Sequence, residues 1–473
     1  MPKESHRAGK GTDHELTVLI HVFVLVVGAA WMFGGNAEWA KPLIASWGTL
    51  GMTLCALLVR EHHALTKTLP RPLHLLWPLL GYNLIALVSL FFPGYRAMTY
   101  EGEIILIRNT VSDWLPSSAV PGRTLMTLWL FNSIYLSCFN LLLAIKSRSK
   151  LRLLLYGLVA NASLLAVFGS IQKLVNAPGL FFGAQESPQT KFFASFIYHN
   201  HWGAFTLLMI AIALGLIFHL QRRNLGRGLI NTPAPLLMLA VGLLAITMPL
   251  SGSRSCSLMA LLVLMIAGAH WMLPVLRRKH HDHQPVVGSA MIAVLGLLAV
   301  IWIAYVLGEP MIRERWEETR AQVAEARTRQ ETDFRVQLYA DTWSMAKERW
   351  LWGWGLGAYP VGFQDFNTQR ESAVDRLPRY FHDAHSDWLQ SLAERGFAGT
   401  VLIGLCGVLP LWFHRRTLPR SPVTWYALGC SGLLLAYAWV EFPFGNTAVV
   451  CAFWVTLFTA SLYGSIETDR ASD

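Results

Sequence analysis

The chain has 473 residues, 53% of them hydrophobic and 14% charged, with 39 Lys and Arg against 29 Asp and Glu for a formal net charge of +10. A soluble globular chain carries about 25% charged residues. This composition therefore excludes a soluble multi-domain enzyme, a disordered protein and a secreted disulfide scaffold, and it points to an all-α polytopic membrane protein. In that class the positive excess anchors cytoplasmic loops and calls for no nucleic-acid partner.

Met1 to Asp13 is polar and carries Lys3, Arg7 and Lys10. The apolar run from Leu16 to Phe33 is long for a signal-peptide core and many more follow, so it reads as an uncleaved first span. A bilayer core needs about 20 mostly apolar residues per helix. On that scale twelve spans are predicted: 15–34, 41–60, 72–92, 124–145, 153–175, 199–220, 233–250, 256–276, 287–307, 397–413, 423–441 and 447–464. With the N-terminus inside, the cytoplasmic segments hold 20 of the 39 basic residues, and the short outside loops hold seven. The other 12 lie in one long segment, 308–396, and long loops cross whatever their charge. Losing or adding one span would reverse every later loop and spoil the pattern. The chain thus divides into 1–307 with spans one to nine, a helical outside loop at 308–396, and 397–473 with spans ten to twelve and a short cytoplasmic tail.

The spans carry no Asp or Glu near their middles. Ion-coupled pumps usually need such groups, so their absence speaks against a pump. His21, Asn83, Asn132, Asn140 and Asn161 are the main mid-span polar residues, and helix–helix hydrogen bonding is their expected use. The six cysteines fall in or beside apolar stretches without a CxxC, which argues against a disulfide framework or zinc site. His62-His63 and His280-His281-Asp282-His283 lie in basic inside loops and read as solvated turns.

The outside face concentrates the chemistry in four polar segments: 93–123, 176–198, 251–255 and 308–396. Tyr198-His199-Asn200-His201-Trp202 opens span six just after Lys191; interfacial aromatics and a capping Asn are the plain alternative to a site. Ser251-Gly252-Ser253-Arg254-Ser255 joins spans seven and eight. A helix N-terminus beside one arginine suits a phosphate, and an ordinary capping turn is the alternative.

The long loop opens with a run free of Pro and Gly from Met311 to Trp350. Charges pair at helical spacing there: Arg313 with Glu317, Glu325 with Arg329, Glu331 with Arg335. Tyr339, Trp343, Ala346 and Trp350 form an apolar stripe, and Arg335 falls on it. Gly353-Trp354-Gly355-Leu356-Gly357 lacks the strand, the lysine and the spacing of a phosphate loop, which favours a helix stop and tight turn. His382-Asp383-Ala384-His385-Ser386-Asp387 is open to three readings: a metal-binding cluster, a histidine acting as general base, or a plain surface cluster.

Taken in order, these residues resemble a family. Asn200-His201-Trp202-Gly203-Ala204-Phe205 comes first, then Ser253-Arg254. Arg335, Tyr339 and Trp343 on an outside helix lead to Gly353-Trp354-Gly355-Leu356-Gly357-Ala358-Tyr359. His385-Ser386-Asp387-Trp388-Leu389-Gln390 through Glu394-Arg395-Gly396-Phe397-Ala398-Gly399 closes the series. The set resembles the O-antigen ligase and O-antigen polymerase superfamily of bacterial inner membranes over roughly residues 199–400; the first 150 residues match only in being spans. One position differs, Ser386, where the family usually shows Asn after the histidine.

The resemblance implies a GT-C-type membrane glycosyltransferase of about 12 transmembrane helices with a large helical periplasmic loop between spans nine and ten. Such an enzyme takes a glycan from an undecaprenyl-diphosphate carrier on the periplasmic side. It passes the glycan to an acceptor hydroxyl on lipid A-core or another glycan, in lipopolysaccharide or other surface polysaccharide biosynthesis. It is metal-independent and uses no cofactor or nucleotide sugar. Carried over, His385 is the general base, and Arg254 and Arg335 hold the diphosphate leaving group. Lys191, His201, His382 and Tyr339 are then candidates for binding diphosphate or glycan. The expected setting is the inner membrane, with both termini cytoplasmic, the active site periplasmic, and membrane lipids as further partners. Alternatives are an O-antigen-type polymerase or a protein O-glycan ligase, which share the donor chemistry, and a small-anion transporter on a related scaffold. A transporter should place polar groups at mid-membrane, and this chain gathers them at the outer surface.

Overall fold

A computed structural model describes residues 3–224, 229–281, 334–368 and 380–466. The predicted ninth span, 287–307, and the first part of the long loop lie outside the described residues. The helices are α1 (Lys3–Trp31), α2 (Ala40–Thr66), α3 (Trp77–Ser89), α4 (Pro121–Ala144), α5 (Arg148–Leu174), α6 (His199–Arg223), α7 (Ala234–Ser251), α8 (Arg254–His281), α9 (Phe334–Glu348), α10 (Asp387–Phe413), α11 (Pro422–Tyr437) and α12 (Thr447–Tyr463). Among the described residues nine helices are long and apolar enough to cross a membrane. The bundle is completed by α12 with 17 residues and α11 with 16. The protein is an all-α polytopic membrane protein. Among the described residues the one two-stranded sheet is a hairpin in the polar segment after α3, β1 (Tyr95–Tyr100) against β2 (Glu103–Arg108), which the sequence reading did not foresee. Glu101 and Gly102 make its two-residue turn, both with positive φ, the geometry that matches strand twist.

The helix ends follow local chemistry. Ser147, Ser386, Ser421 and Asn446 cap α5, α10, α11 and α12, each accepting a backbone N–H of the first turn. The buried centre of the bundle is α6, covered on all sides from His201 to Phe218. Its small residues let neighbours come close: a Cβ on Gly215 would stand 2.7 Å from the Val423 Cα of α11, and one on Gly203 2.6 Å from Cys256 of α8. The mid-span polar groups join helices. Asn83 and Asn132 exchange amide hydrogen bonds at 2.9 and 2.5 Å, and Asn140 donates to the Gly51 carbonyl at 2.8 Å. Asn161 accepts from the Trp31 indole at 2.9 Å, and His21 meets the Ser137 hydroxyl at 3.0 Å. The six cysteines are buried free thiols.

One end of the bundle carries a folded cap with a separate apolar core around Trp354, Tyr359, Phe363 and Leu338. The glycine-rich segment staples this cap to the helices. Trp354 and Gly355 N–H groups donate to the Ala393 and Glu394 carbonyls, and the Trp354 carbonyl accepts from Ala119 N–H at 2.7 Å. Those amides are spent inside the protein, which supports the turn reading over a phosphate loop. Gly355 has φ +98 and lies so near α4's approach that a Cβ would stand 2.7 Å from the Ser118 Cα. The Trp354 ring lies between two guanidinium groups, Arg108 at 4.7 Å and Arg349 at 5.0 Å.

Two helices differ from the sequence expectation. Helix α10 begins at Asp387, ahead of the expected 397, and turns at Gly396, whose φ of 66 breaks the helical backbone between cap and span. On α9 the packed face is Leu338, Asp341, Thr342, Met345 and Ala346, continued by Arg349 just past the helix end. Of the expected stripe Ala346 is buried there, whereas Trp343 and Trp350 are exposed, because the cap core and the Asp341–Thr368 hydrogen bonds claim the neighbouring face.

Candidate active site

The polar motifs meet at the capped end of the bundle. Asn200, in the first turn of α6, is the hub. Its side-chain amide donates to the Glu441 carboxylate at 3.0 Å and to the Tyr198 hydroxyl at 2.8 Å, and its carbonyl oxygen accepts from the Ser253 hydroxyl at 2.7 Å. It does not cap α6; the helix begins after Tyr198 without any side-chain cap. Ser253 immediately precedes Arg254, the exposed first residue of α8, and Gly252 with φ +86 turns the chain between α7 and α8. Thus the α6 and α8 N-termini are tied side by side, with Arg254 at the edge of the tie.

Glu441 follows α11 and is buried beneath this point. It accepts from Asn200, from the Tyr198 hydroxyl at 3.3 and 3.4 Å, and from Arg335 of α9 at 3.4 Å. Burial pushes its carboxyl above the ordinary range, and Arg335 pulls it back. The same burial and carboxylate keep the Tyr198 phenol protonated.

His385 completes the group. Its ring stands edge-on to Phe442 at 4.8 Å between centroids, and its own carbonyl accepts from the Tyr339 hydroxyl at 3.0 Å. Its φ of +51 is uncommon outside glycine and costs on the order of 1–3 kcal/mol. Such a conformation persists where the surroundings impose it, here Tyr339 on one side and the α10 cap made by Ser386 on the other. The buried Nδ1 of His385 has no hydrogen-bond partner among the described residues. Burial first, then the Arg335 guanidinium, holds the imidazole down at about 4, so it is neutral at physiological pH. Ser386, where the family usually shows Asn, spends its hydroxyl on the Leu389 N–H as the α10 N-cap.

The other sequence-derived candidates take different positions. His201 is buried, with Nε2 donating to the Phe442 carbonyl at 3.1 Å and Nδ1 3.5 Å from the Asn36 amide. Its ring is used internally, so the expectation that it touches substrate is corrected to one of holding Phe442, the ring against which both Tyr198 and His385 rest. Lys191 supports the start of α6 through its carbonyl, which accepts the His199 N–H at 3.2 Å. His382 is exposed and meets the Tyr380 ring edge-on at 4.9 Å. Among the described residues no three His, Cys, Asp or Glu converge as a metal cage.

Sequence reasoning missed Glu441 and understated Asn200. A lone acid in Trp439-Val440-Glu441-Phe442-Pro443-Phe444, at the apolar end of a span, was the available signal.

The structure is a helical membrane bundle with one capped end, where Arg335, His385 and the buried Glu441 meet beside the Ser253–Arg254 helix start. Residues 239–404 match the family model described as O-antigen ligase, which supports the resemblance to the O-antigen ligase superfamily. No curated protein matches the chain. The match covers α8, α9, the glycine-rich segment, His385 and the first half of the α10 span, and it supports a part in surface-glycan biosynthesis of the ligase or polymerase type.

Proposed function

We propose that the protein transfers a glycan from an undecaprenyl-diphosphate carrier to an acceptor hydroxyl at the periplasmic face of the inner membrane, as an O-antigen ligase does. The observation that carries this reading is the His385 imidazole beside Arg335, in the same polar group as the Ser253–Arg254 helix start. A ring nitrogen of His385 takes the acceptor's proton as the acceptor oxygen bonds to the anomeric carbon. The bond from that carbon to the diphosphate breaks, and its electron pair leaves with the diphosphate. Arg335, and Arg254 at the α8 N-terminus, meet the charge that develops there. Tyr339 fixes the His385 backbone, while Lys191 and His382 are the candidates for diphosphate and glycan contacts. The chemistry uses these side chains alone and invokes no cofactor.

One observation favours transfer over small-anion transport: the mid-span polar residues are engaged between helices. Polymerase and protein-ligase activities share the donor step and differ in acceptor. The test is transfer by the purified full chain given lipid-linked donor and lipid A-core. His385→Ala and Arg254→Ala are expected to lose transfer while expression and membrane insertion hold; near-wild-type transfer in both ends the His/Arg mechanism.

A further inference from the structure

Glu441 has three donors around two oxygens, and they are not equivalent. Asn200 and Tyr198 belong to the start of α6 and are held there by Ser253 and by stacking on Phe442. Arg335 reaches in from the cap, makes a long contact of 3.4 Å, and its side chain is 48% exposed against 6% for Glu441. The carboxylate therefore keeps Asn200 and Tyr198 as donors whether Arg335 stays or goes, whereas the Arg335 side chain is about half exposed. The two phosphates of a diphosphate offer a guanidinium more negative charge, and bidentate geometry, than one carboxylate oxygen at 3.4 Å.

From this geometry we propose that Glu441 is an anionic placeholder, a positioning residue that keeps Arg335 beside His385 until a diphosphate takes the guanidinium over. The proposal rests on the reading that Arg335 binds the donor's diphosphate. It explains why a carboxylate is buried next to a site meant for an anion, where it would otherwise only repel the substrate. It also assigns a use to the Asn200–Tyr198 pair, which shields the carboxylate once Arg335 has turned away.

Inorganic pyrophosphate is the probe, its affinity measured by calorimetry on the full-length protein in detergent, with thermal unfolding as the check on fold. Glu441→Gln keeps an oxygen for Asn200 but cannot hold the guanidinium. It is expected to bind pyrophosphate tighter than wild type by up to about fivefold, the range set by a half-exposed ion pair. Glu441→Asp withdraws the carboxylate by one methylene, is expected to gain less in the same direction, and serves if the Gln variant does not fold. Unchanged or weaker binding in a folded variant overturns the proposal. Arg335→Gln separates the two layers. If it binds pyrophosphate as wild type does, the diphosphate role of Arg335 fails and with it the reading beneath the proposal. If Arg335→Gln loses binding and the Arg335→Gln/Glu441→Gln double variant shows no gain over it, the placeholder role stands. A gain in the double variant would mean that Glu441 only repels anions in general, and would overturn it.

Discussion

The ionisation of His385 has a measurable signature in the rate. Burial and the Arg335 guanidinium hold the imidazole at about 4, below the usual 6.5. A general base works only when neutral. At pH 6, about 99% of the sites are then competent, against about a quarter for an unperturbed histidine. Both donor phosphates are diesters, ionised over the whole range, so the leaving group adds no titration of its own. The assay is kcat/KM for glycan transfer by the full chain in proteoliposomes, followed from neutral pH downward. Transfer is expected to stay level to about pH 5 and to halve near 4. Arg335→Lys keeps the charge and leaves this acid limb in place, while Arg335→Gln removes it and moves the limb upward. The same depression affects stability. The unfolded chain takes up the proton near 6.5, which the folded chain refuses until about 4, so this contribution is complete above 6.5 and is lost as pH falls through that window. An acid limb centred near 6.5 in the wild-type protein, or a limb that ignores the loss of the Arg335 charge, would refute the reasoning.

Other perturbations read separate parts of the fold. Gly355→Ala puts a Cβ 2.7 Å from the Ser118 Cα on a backbone with φ +98. It is expected to cost about 1–3 kcal/mol, seen as a lower thermal midpoint in detergent. Trp354→Ala removes a buried ring between Arg108 and Arg349 and is expected to cost about 3–5 kcal/mol, with early proteolysis of the cap as the readout. Ser386→Ala deletes the α10 cap and is expected to lose about 1 kcal/mol, with Ser386→Asn, another good cap, retaining it; thermal unfolding compares the two. Asn83→Leu or Asn132→Leu strands one amide between α3 and α4, at a cost of roughly 0.6–2 kcal/mol that the double substitution largely recovers in an unfolding cycle.

Much of the scaffold was legible because bilayer thickness imposes a similar length on every span. Helices α1 to α8 each overlap one of the first eight predicted spans. The start of α10 was not legible, because Asp387-Trp388-Leu389-Gln390 is amphipathic cap sequence and the bend at Gly396 depends on backbone contacts to Leu351 and Trp352. The hairpin escaped because Ile104-Ile105-Leu106-Ile107 is short and its turn, Glu101-Gly102, is not the commonest hairpin pair. At the site, His385, Arg254 and Arg335 stood out through residue type and order. Glu441 did not, since nothing local distinguishes a buried carboxylate from one at the membrane surface; its meaning comes from Asn200, 241 positions away. His201 misled in the opposite sense, its chemistry being absorbed by the Phe442 carbonyl.

The most direct measurement is an experimental structure of the full chain with a non-transferable glycosyl diphosphate lipid. The diphosphate is expected within hydrogen-bonding distance of Arg254 and Arg335, with the anomeric carbon on the His385 side. A diphosphate bound at the opposite end of the bundle, or one that leaves both guanidinium groups out of contact, would contradict the assignment.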